Sequence, residues 1–380
     1  MKRHGMAAAI LSLAVLLAAC SPASEPVSGE PSAVSWDSLT VESGLDLQYA
    51  DQFTVDYYTG GYALIHIVDG NDYLVVPENK PVPDGLADTT VVLTQPLDHI
   101  YLVATSAMDL FCALDGIGSI RLSGTDERGW YIDEAKAAMQ NGAMLYAGKY
   151  SAPDYELIYA EQCDLAVEST MIYHSPEVKE QLERLGVPVL VERSSYESSP
   201  LGRMEWLKLY GVLLNREEAA EAIYQQALDS LRPVIEQENT GKAVVFFYIN
   251  SNGSANVRKS NDYVAKMIEM AGGTYIFSDL GNDNALSTMN MQMEMFYTGA
   301  KDADVIIYNS TIDGELHSID ELLAKSPLLA DFKAVRNGDV WCTGQNLFQS
   351  TMGLGDMILD IHAVLTEEAP EPLTYLHRLT

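Results

Sequence analysis

The spacing of apolar positions changes several times along this chain, and each change predicts a different kind of element. In FTVDYYTGGYALIHIVDGNDYLVVPE, from Phe53 to Glu78, aromatic and β-branched runs are broken at Gly60-Gly61 and at Asp69-Gly70-Asn71-Asp72. That pattern predicts strands folded back on one another within a strand-rich segment, 46–95. From about residue 97, short apolar runs alternate with helically spaced segments: IYLVAT, SAMDLFCALDG, IRLSGT, YIDEAKAAMQNG, DLAVES, SPEVKEQLERLG and VPVLVE. The helix after Ser175 carries its own boundary signals, with serine at the cap, Pro176 in first position, Glu177 in the first turn and Gly186 as the stop.

A long helical tract follows over 204–238. Its apolar residues Trp206, Leu207, Tyr210, Leu213, Ala220, Ile223, Ala227 and Leu231 recur at three and four, with a break expected near Leu214 to Glu217. The alternation then restarts with AVVFFYI, NDYVAKMIEMAGG, DVIIYN and SIDELLAKS, and a helix from Leu354 to Leu365 closes the chain. Strands and helices in alternation predict parallel sheets covered by helices. The expected fold class is therefore α/β: two Rossmann-like lobes, 96–203 and 239–380, joined by a long rigid helix, with the strand-rich segment as an N-terminal elaboration.

The first twenty residues set the compartment. Lys2, Arg3 and His4 precede an apolar run from Met6 to Ala19 that is too short for a permanent membrane span. The sequence Leu17-Ala18-Ala19-Cys20 resembles the lipobox of bacterial lipoprotein precursors, which implies a signal peptide over 1–19 and lipid on Cys20. Residues 20–45 open with SPASEPVSGEPSAVS and are expected to be a flexible tether. The expectation is a body on the outer face of the cell membrane, attached through the lipid alone.

The 23 basic residues against 54 acidic ones, a net charge of −31, argue against a nucleic-acid partner. They also make each loop arginine more informative. Cys112, Cys163 and Cys342 are an odd set lying mostly in apolar segments, and are expected to be buried thiols.

The order YLVATSAMDLFCALDG, GKYSAPDYELIYAEQCDLAV, LGVPVLV, LLNREEAAEAIYQQ, NDYVAKMIEMAGG, ADVIIYN and FKAVRNGDVW resembles the extracytoplasmic substrate-binding lipoproteins of ABC importers for iron-siderophores, haem and cobalamin. The resemblance spans roughly 97–368. It implies a monomeric binding protein, with a metal chelate or macrocycle as cargo and a permease dimer as partner. A ferric siderophore leads, and haem or cobalamin are the alternatives. It further implies that Glu156 and Glu294, each near the start of a helix that leads into a strand, dock onto arginines of the permease. Helix dipoles favour carboxylates in first turns anyway, so the recurrence in both halves carries this reading, not either residue alone.

Ligands of parallel α/β lobes bind at the carboxyl ends of strands. The candidates in the N-terminal lobe are Thr105, Ser106, Met108, Arg128, Trp130, Tyr131, Ser169, Thr170, Met171, Tyr173, Arg193, Tyr196 and Arg203. Those in the C-terminal lobe are Tyr248, Asn250, Arg258, Trp341 and Gln345. Guanidinium groups match carboxylate or catecholate oxygens, and aromatic rings match flat ligands. Tyr173, Met171 and His174 are also donors of the kind that hold haem iron.

No HExxH, GxSxG, GxGxxG or P-loop occurs, and His66, His99, His174, His317, His362 and His377 have no ligand-like spacing. An enzyme and a non-transport surface adhesin are the competing classes. Neither a resident cofactor nor a metal site is expected.

Overall fold

The computed structural model describes residues 33–68, 70–281, 287–368 and 372–380. The expected signal peptide and Cys20 lie outside them. The strand-rich segment forms a sheet of β1 (Val41–Gly44), β2 (Phe53–Tyr58), β3 (Tyr62–Ile67), β4 (Asp72–Val76) and β5 (Thr90–Thr94), in that spatial order. All neighbours are antiparallel except β4 and β5. Gly60 and Gly61, with φ of +88° and +86°, turn β2 into β3 through a backbone region that L side chains avoid. β1 falls inside the span expected to be tether. Trp36 lies 4.6 Å from the Tyr58 ring and donates its N–H to the Asp84 carbonyl, so the folded body begins well before residue 46.

The N-terminal lobe holds β6 (Ile100–Leu102), β7 (Ile120–Ser123), β8 (Leu145–Tyr146), the small β9–β10 pair (Gly148–Lys149, Ala152–Pro153), β11 (Leu165–Ser169) and β12 (Val189–Glu192). Its sheet is parallel throughout, ordered β12-β11-β6-β7-β8. The intervening helices are α1 (Ala107–Ala113), α2 (Asp133–Gln140), α3 (Tyr155–Ala160) and α4 (Pro176–Arg184).

Two helices join the lobes, α5 (Pro200–Leu214) and α6 (Glu217–Ile235), separated at Asn215, whose φ of 55° ends α5 in the left-handed region. They pack antiparallel: Lys208 pairs with Glu221, and Tyr224 donates to the Leu201 carbonyl. The connection is thus a helical hairpin in which α5 doubles back and α6, about 28 Å long, is the arm that crosses to the second lobe. Helix α5 starts at Pro200, inside the span read as N-terminal lobe.

That second lobe holds β13 (Ala243–Ile249), β14 (Ala255–Arg258), β15 (Thr274–Tyr275), β16 (Thr288–Met291), β17 (Val305–Tyr308), β18 (Val340–Thr343) and β19 (Leu376–Arg378). Its order is β16-β14-β13-β17-β18-β19, with β15 also on β13. β15, β13, β17 and β18 pair in parallel; β14 pairs antiparallel with both β13 and β16, and β19 antiparallel with β18. The helices are α7 (Tyr263–Met270), α8 (Met293–Ala300), α9 (Ile319–Lys325), α10 (Lys333–Asn337) and α11 (Leu354–Thr366).

Helix α5 is apolar nearly all round, and 13 of its 15 residues are accordingly buried. One continuous core runs from Phe53 and Leu93 through Trp206 and Tyr210 to Ile307 and Ile361. Within it, Glu205 accepts the backbone N–H groups of Gln48, Tyr49 and Ala50 at 2.8–2.9 Å and the Lys208 ammonium at 3.1 Å. Glu197 takes the next two amides, Asp51 and Gln52, together with the Trp206 indole N–H at 3.0 Å. Gly202 permits this approach: a Cβ there would stand 2.8 Å from the Tyr49 carbonyl oxygen. Five successive amides are thereby satisfied by two buried carboxylates.

Glu168, near the end of β11, is fully buried, and neither of its oxygens has a hydrogen-bond partner. Burial raises its pKa from 4.5 to about 8.

Two predictions follow from these carboxylates. Glu205→Ala leaves the buried Lys208 ammonium and three backbone amides without their acceptor, so stability should fall by about 3–5 kcal/mol, read from the urea midpoint. For Glu168 the sign is the opposite of a salt-bridged acid. Between pH 4.5 and about 8 the folded carboxyl holds a proton that the unfolded one has released, so the wild type loses stability as pH rises through that window. Glu168→Gln should remove this slope and be more stable at pH 8 by on the order of a few kcal/mol, with the gain vanishing toward the acid end of a denaturation series.

Candidate functional site

The lobes meet where the strands of the first one end. The loop after β18 reaches across: Thr351 donates its hydroxyl to the Ser106 carbonyl at 2.7 Å, and the Met352 N–H donates to Asp109 at 2.7 Å. Gln349 makes two bonds, accepting from the Tyr131 N–H and donating to the Gly129 carbonyl. Ser106 and Asp109 sit at the start of α1, directly after β6; Gly129 and Tyr131 lie in the loop after β7.

Beside this contact a polar cluster joins both lobes. Glu192, the last residue of β12, is buried; it accepts from the Ser194 N–H at 2.9 Å and from the Ser106 hydroxyl at 3.3 Å, while burial pushes its pKa up. Arg203, on the first turns of α5, donates to the Ser195 and Glu197 carbonyls and lies 3.6 Å from the centre of the Tyr263 ring in the other lobe. Burial lowers its pKa, and the nearby Tyr263, Asp262 and Glu192 oppose that shift. Arg258 stands 3.5 Å from Asp262 and 5.1 Å from the Phe348 ring. Arg193 is buried, bonded to the Gln52 side chain and stacked on Tyr196 at 4.4 Å. Arg203 is thus held by carbonyls and a ring, whereas Arg258 is paired with a carboxylate.

Around the cluster the first lobe exposes Tyr131, Met171, Tyr173 and Tyr196, on loops leaving the carboxyl ends of β7, β11 and β12. Arg128 projects into solvent at the same rim, 3.5 Å from Asp126, and its neighbour Gly129 is the residue that Gln349 grips. Thr105, Ser106, Ser169 and Thr170 are half-buried at strand ends, with Ser169 capping the turn that carries Met171. His174 is exposed on that turn, and Gln345 is half-buried after β18.

Five expected contacts are turned elsewhere. Met108 is fully buried in the core, Trp130 is buried with its indole N–H on Ser123, and Trp341 is buried in β18 beneath Arg378. Their strands or helices are covered on both faces, so bulky apolar side chains fill the lobes instead of lining a surface. Asn250 shapes a tight turn: β13 passes into antiparallel β14 without an intervening helix, and the Asn250 side chain accepts the Ser254 N–H and donates to Asn290. Tyr248, opposite Asn256 in that hairpin, is half-buried against the core.

Glu192, Asp262, Tyr263, Phe348 and Gln349 were not among the expected site residues. Asp262 caps α7 by accepting the Val264 N–H, a signal visible in the sequence only as a helix start. Glu156 and Glu294 are both exposed in the first turns of α3 and α8, the helices that precede β11 and β17. Cys112, Cys163 and Cys342 are free thiols, with pKa values pushed up to about 12, 12 and 11 by burial. A separate cavity of about 410 Å³ lies between α6, α11 and Met352, lined by Ile223, Ala227, Leu231, Leu359 and Asp109. Its lining holds no basic residue.

A sequence model described as periplasmic binding protein matches residues 122–347, more than half of the chain. A curated relative, an uncharacterised lipoprotein of Methanocaldococcus jannaschii, is 27% identical over 354 residues, which cover 87% of this chain and 82% of the relative. Among solved structures, a periplasmic haem-binding protein of Vibrio cholerae is similar with a TM-score of 0.58 at 16% identity, over 71% of this chain and 98% of that one. The catecholate-siderophore-binding protein of the same organism gives 0.57 at 15% identity, over 71% and 95%. At such identities the structural likeness carries the fold alone. Two α/β lobes joined by helices, with a polar seam between them and a match over most of both lobes, lead to one conclusion: the chain belongs to the periplasmic binding protein family, a family of binding proteins and not of enzymes.

Proposed function

We propose that the protein captures a metal chelate or macrocycle outside the cell, foremost a ferric siderophore, and hands it to an ABC importer. One observation carries the reading. In a chain of net charge −31, Arg193, Arg203 and Arg258 gather at the seam between the lobes, and Arg128, Tyr131, Tyr173 and Tyr196 stand exposed beside them. Positive charge in a partly desolvated seam attracts anionic ligands, and tyrosine faces suit catecholate or porphyrin planes. The haem-binding and catecholate-siderophore-binding structures of like fold support this cargo class.

Lipid on Cys20 is the proposed anchor, supported by the lipoprotein relative. Among the described residues no helix is long and apolar enough to cross a membrane. Glu156 and Glu294 are the proposed contacts with the two permease subunits, supported by their exposure and their matched settings in the two lobes.

Calorimetry against ferric catecholate and hydroxamate siderophores, haem and cobalamin tests the cargo. Tyr131→Ala and Tyr196→Ala alter exposed side chains and should each weaken the best cargo by about 1–2 kcal/mol, roughly 5–30-fold. Failure of the whole panel, or unchanged affinity in both variants, overturns the assignment. A Soret band in protein purified from its host identifies haem instead of a siderophore. Docking is tested separately: Glu156→Lys with Glu294→Lys should abolish uptake while leaving cargo affinity within about twofold of wild type, and a large loss of affinity in solution refutes the docking role.

A further inference from the structure

At the far edge of the second lobe, three residues that are distant in sequence meet. Glu315 and His317 flank Leu316, which is buried; its N–H donates to the Cys342 sulfur and its carbonyl accepts from His377 Nε2 at 2.7 Å. Because neighbours of a residue pinned into the core in extended chain both face outward, anchoring Leu316 presents Glu315 and His317 together. His377 comes from β19, opposite Cys342 in the ladder. Its ring lies 5.6 Å from that of His317, with 28° between the planes. One ligand atom from each of the three residues lies within 4.8 Å of the other two.

The hydrogen bond to Leu316 decides the chemistry of His377. A carbonyl only accepts, so Nε2 carries the proton and Nδ1 is the nitrogen left to bind a cation. That Nδ1 faces Glu315 Oε1 at 3.4 Å. A carboxylate oxygen and an imidazole lone pair repel at this distance unless a proton or a metal cation lies between them. Two ligands each about 2.0–2.1 Å from one tetrahedral ion are themselves about 3.3–3.4 Å apart, which is the separation found. The carbonyl that fixes the tautomer is the usual outer partner of a metal-binding histidine. The His317 ring is exposed and adjacent, with its backbone N–H held by Glu321 at 2.6 Å.

We propose that Glu315, His317 and His377 bind one divalent transition-metal ion of the zinc class, with the fourth position open. Two imidazoles and one carboxylate select such an ion over magnesium or calcium, which prefer oxygen ligands. The site stands independently of the cargo reading. The histidines gave no metal signal in the sequence because 60 positions separate His317 from His377 and a β-ladder brings them together.

The test uses the full chain without a histidine tag, stripped with chelator and titrated with zinc chloride near neutral pH. One equivalent should bind, magnesium chloride should not compete, and cobalt(II) in its place should give the intense visible bands of a tetrahedral site. His317→Ala and His377→Ala should each weaken zinc binding by at least about tenfold. His317 is exposed, so its variant is expected to keep the wild-type circular dichroism spectrum, and a loss of binding there reports ligation and not unfolding. Absence of zinc binding to the wild type would mean that a proton bridges Glu315 and His377, and overturns the proposal. Zinc affinity unchanged in both variants overturns it equally, by locating the ion at other residues.

Discussion

Two carboxylates roofed by five consecutive backbone amides hold this molecule in its shape. Backbone N–H groups withdrawn from water need acceptors, and those of residues 48–52 find theirs in the buried carboxylates of Glu197 and Glu205. Lys208 closes the arrangement by reaching Glu205, Glu221 and the Asp46 carbonyl. The N-terminal sheet is therefore bolted to α5. It shares the core of the first lobe through Phe53 against Trp206 and through the Tyr73 hydroxyl on the Val189 carbonyl. Since Arg203 projects from the same helix onto Tyr263, the clamp also fixes where one wall of the seam stands.

Arginine chemistry at the seam follows from this framework. In so acidic a chain, a local carboxylate is the expected partner for any arginine. Arg203 instead directs its donors at the Ser195 and Glu197 carbonyls and its plane at a phenol ring. Neutral partners hold a guanidinium in position without cancelling its charge. Glu192, the nearest acid of the first lobe, has its carboxyl pushed toward the neutral form by burial. The seam thus holds Arg203 through neutral groups, while Arg258 beside it is paired with Asp262.

The alternation of strand and helix, the break in the connecting tract and the start of α4 at Pro176 were legible because each rests on neighbours in sequence, although Ser175 makes no side-chain cap bond there. The clamp was not: its two glutamates and the amides they hold lie 145 to 157 positions apart, and no local pattern signals either half. The direction of Trp130 and Trp341 was equally hidden. All four residues of β18 are buried, so its sequence shows no alternation from which to tell a cleft face from a packed one. Asn250 and Tyr248 misled for a different reason. The turn through Gly253, at φ of +82°, makes β13 double back where the alternation suggested a helix. Glu156 and Glu294 were singled out by the resemblance together with their recurrence in the two halves, and the structure places both in exposed first turns.

The last nine residues do more than finish the chain. β19 runs antiparallel along β18, with Leu376 and Leu379 buried, and takes up the ladder positions that would otherwise end the sheet at Trp341, Cys342 and Thr343. An uncovered strand of that composition is a template for pairing with another molecule. By folding residues 376–378 over that side, the chain gives a fully buried strand an internal partner and withholds it from pairing with a second molecule.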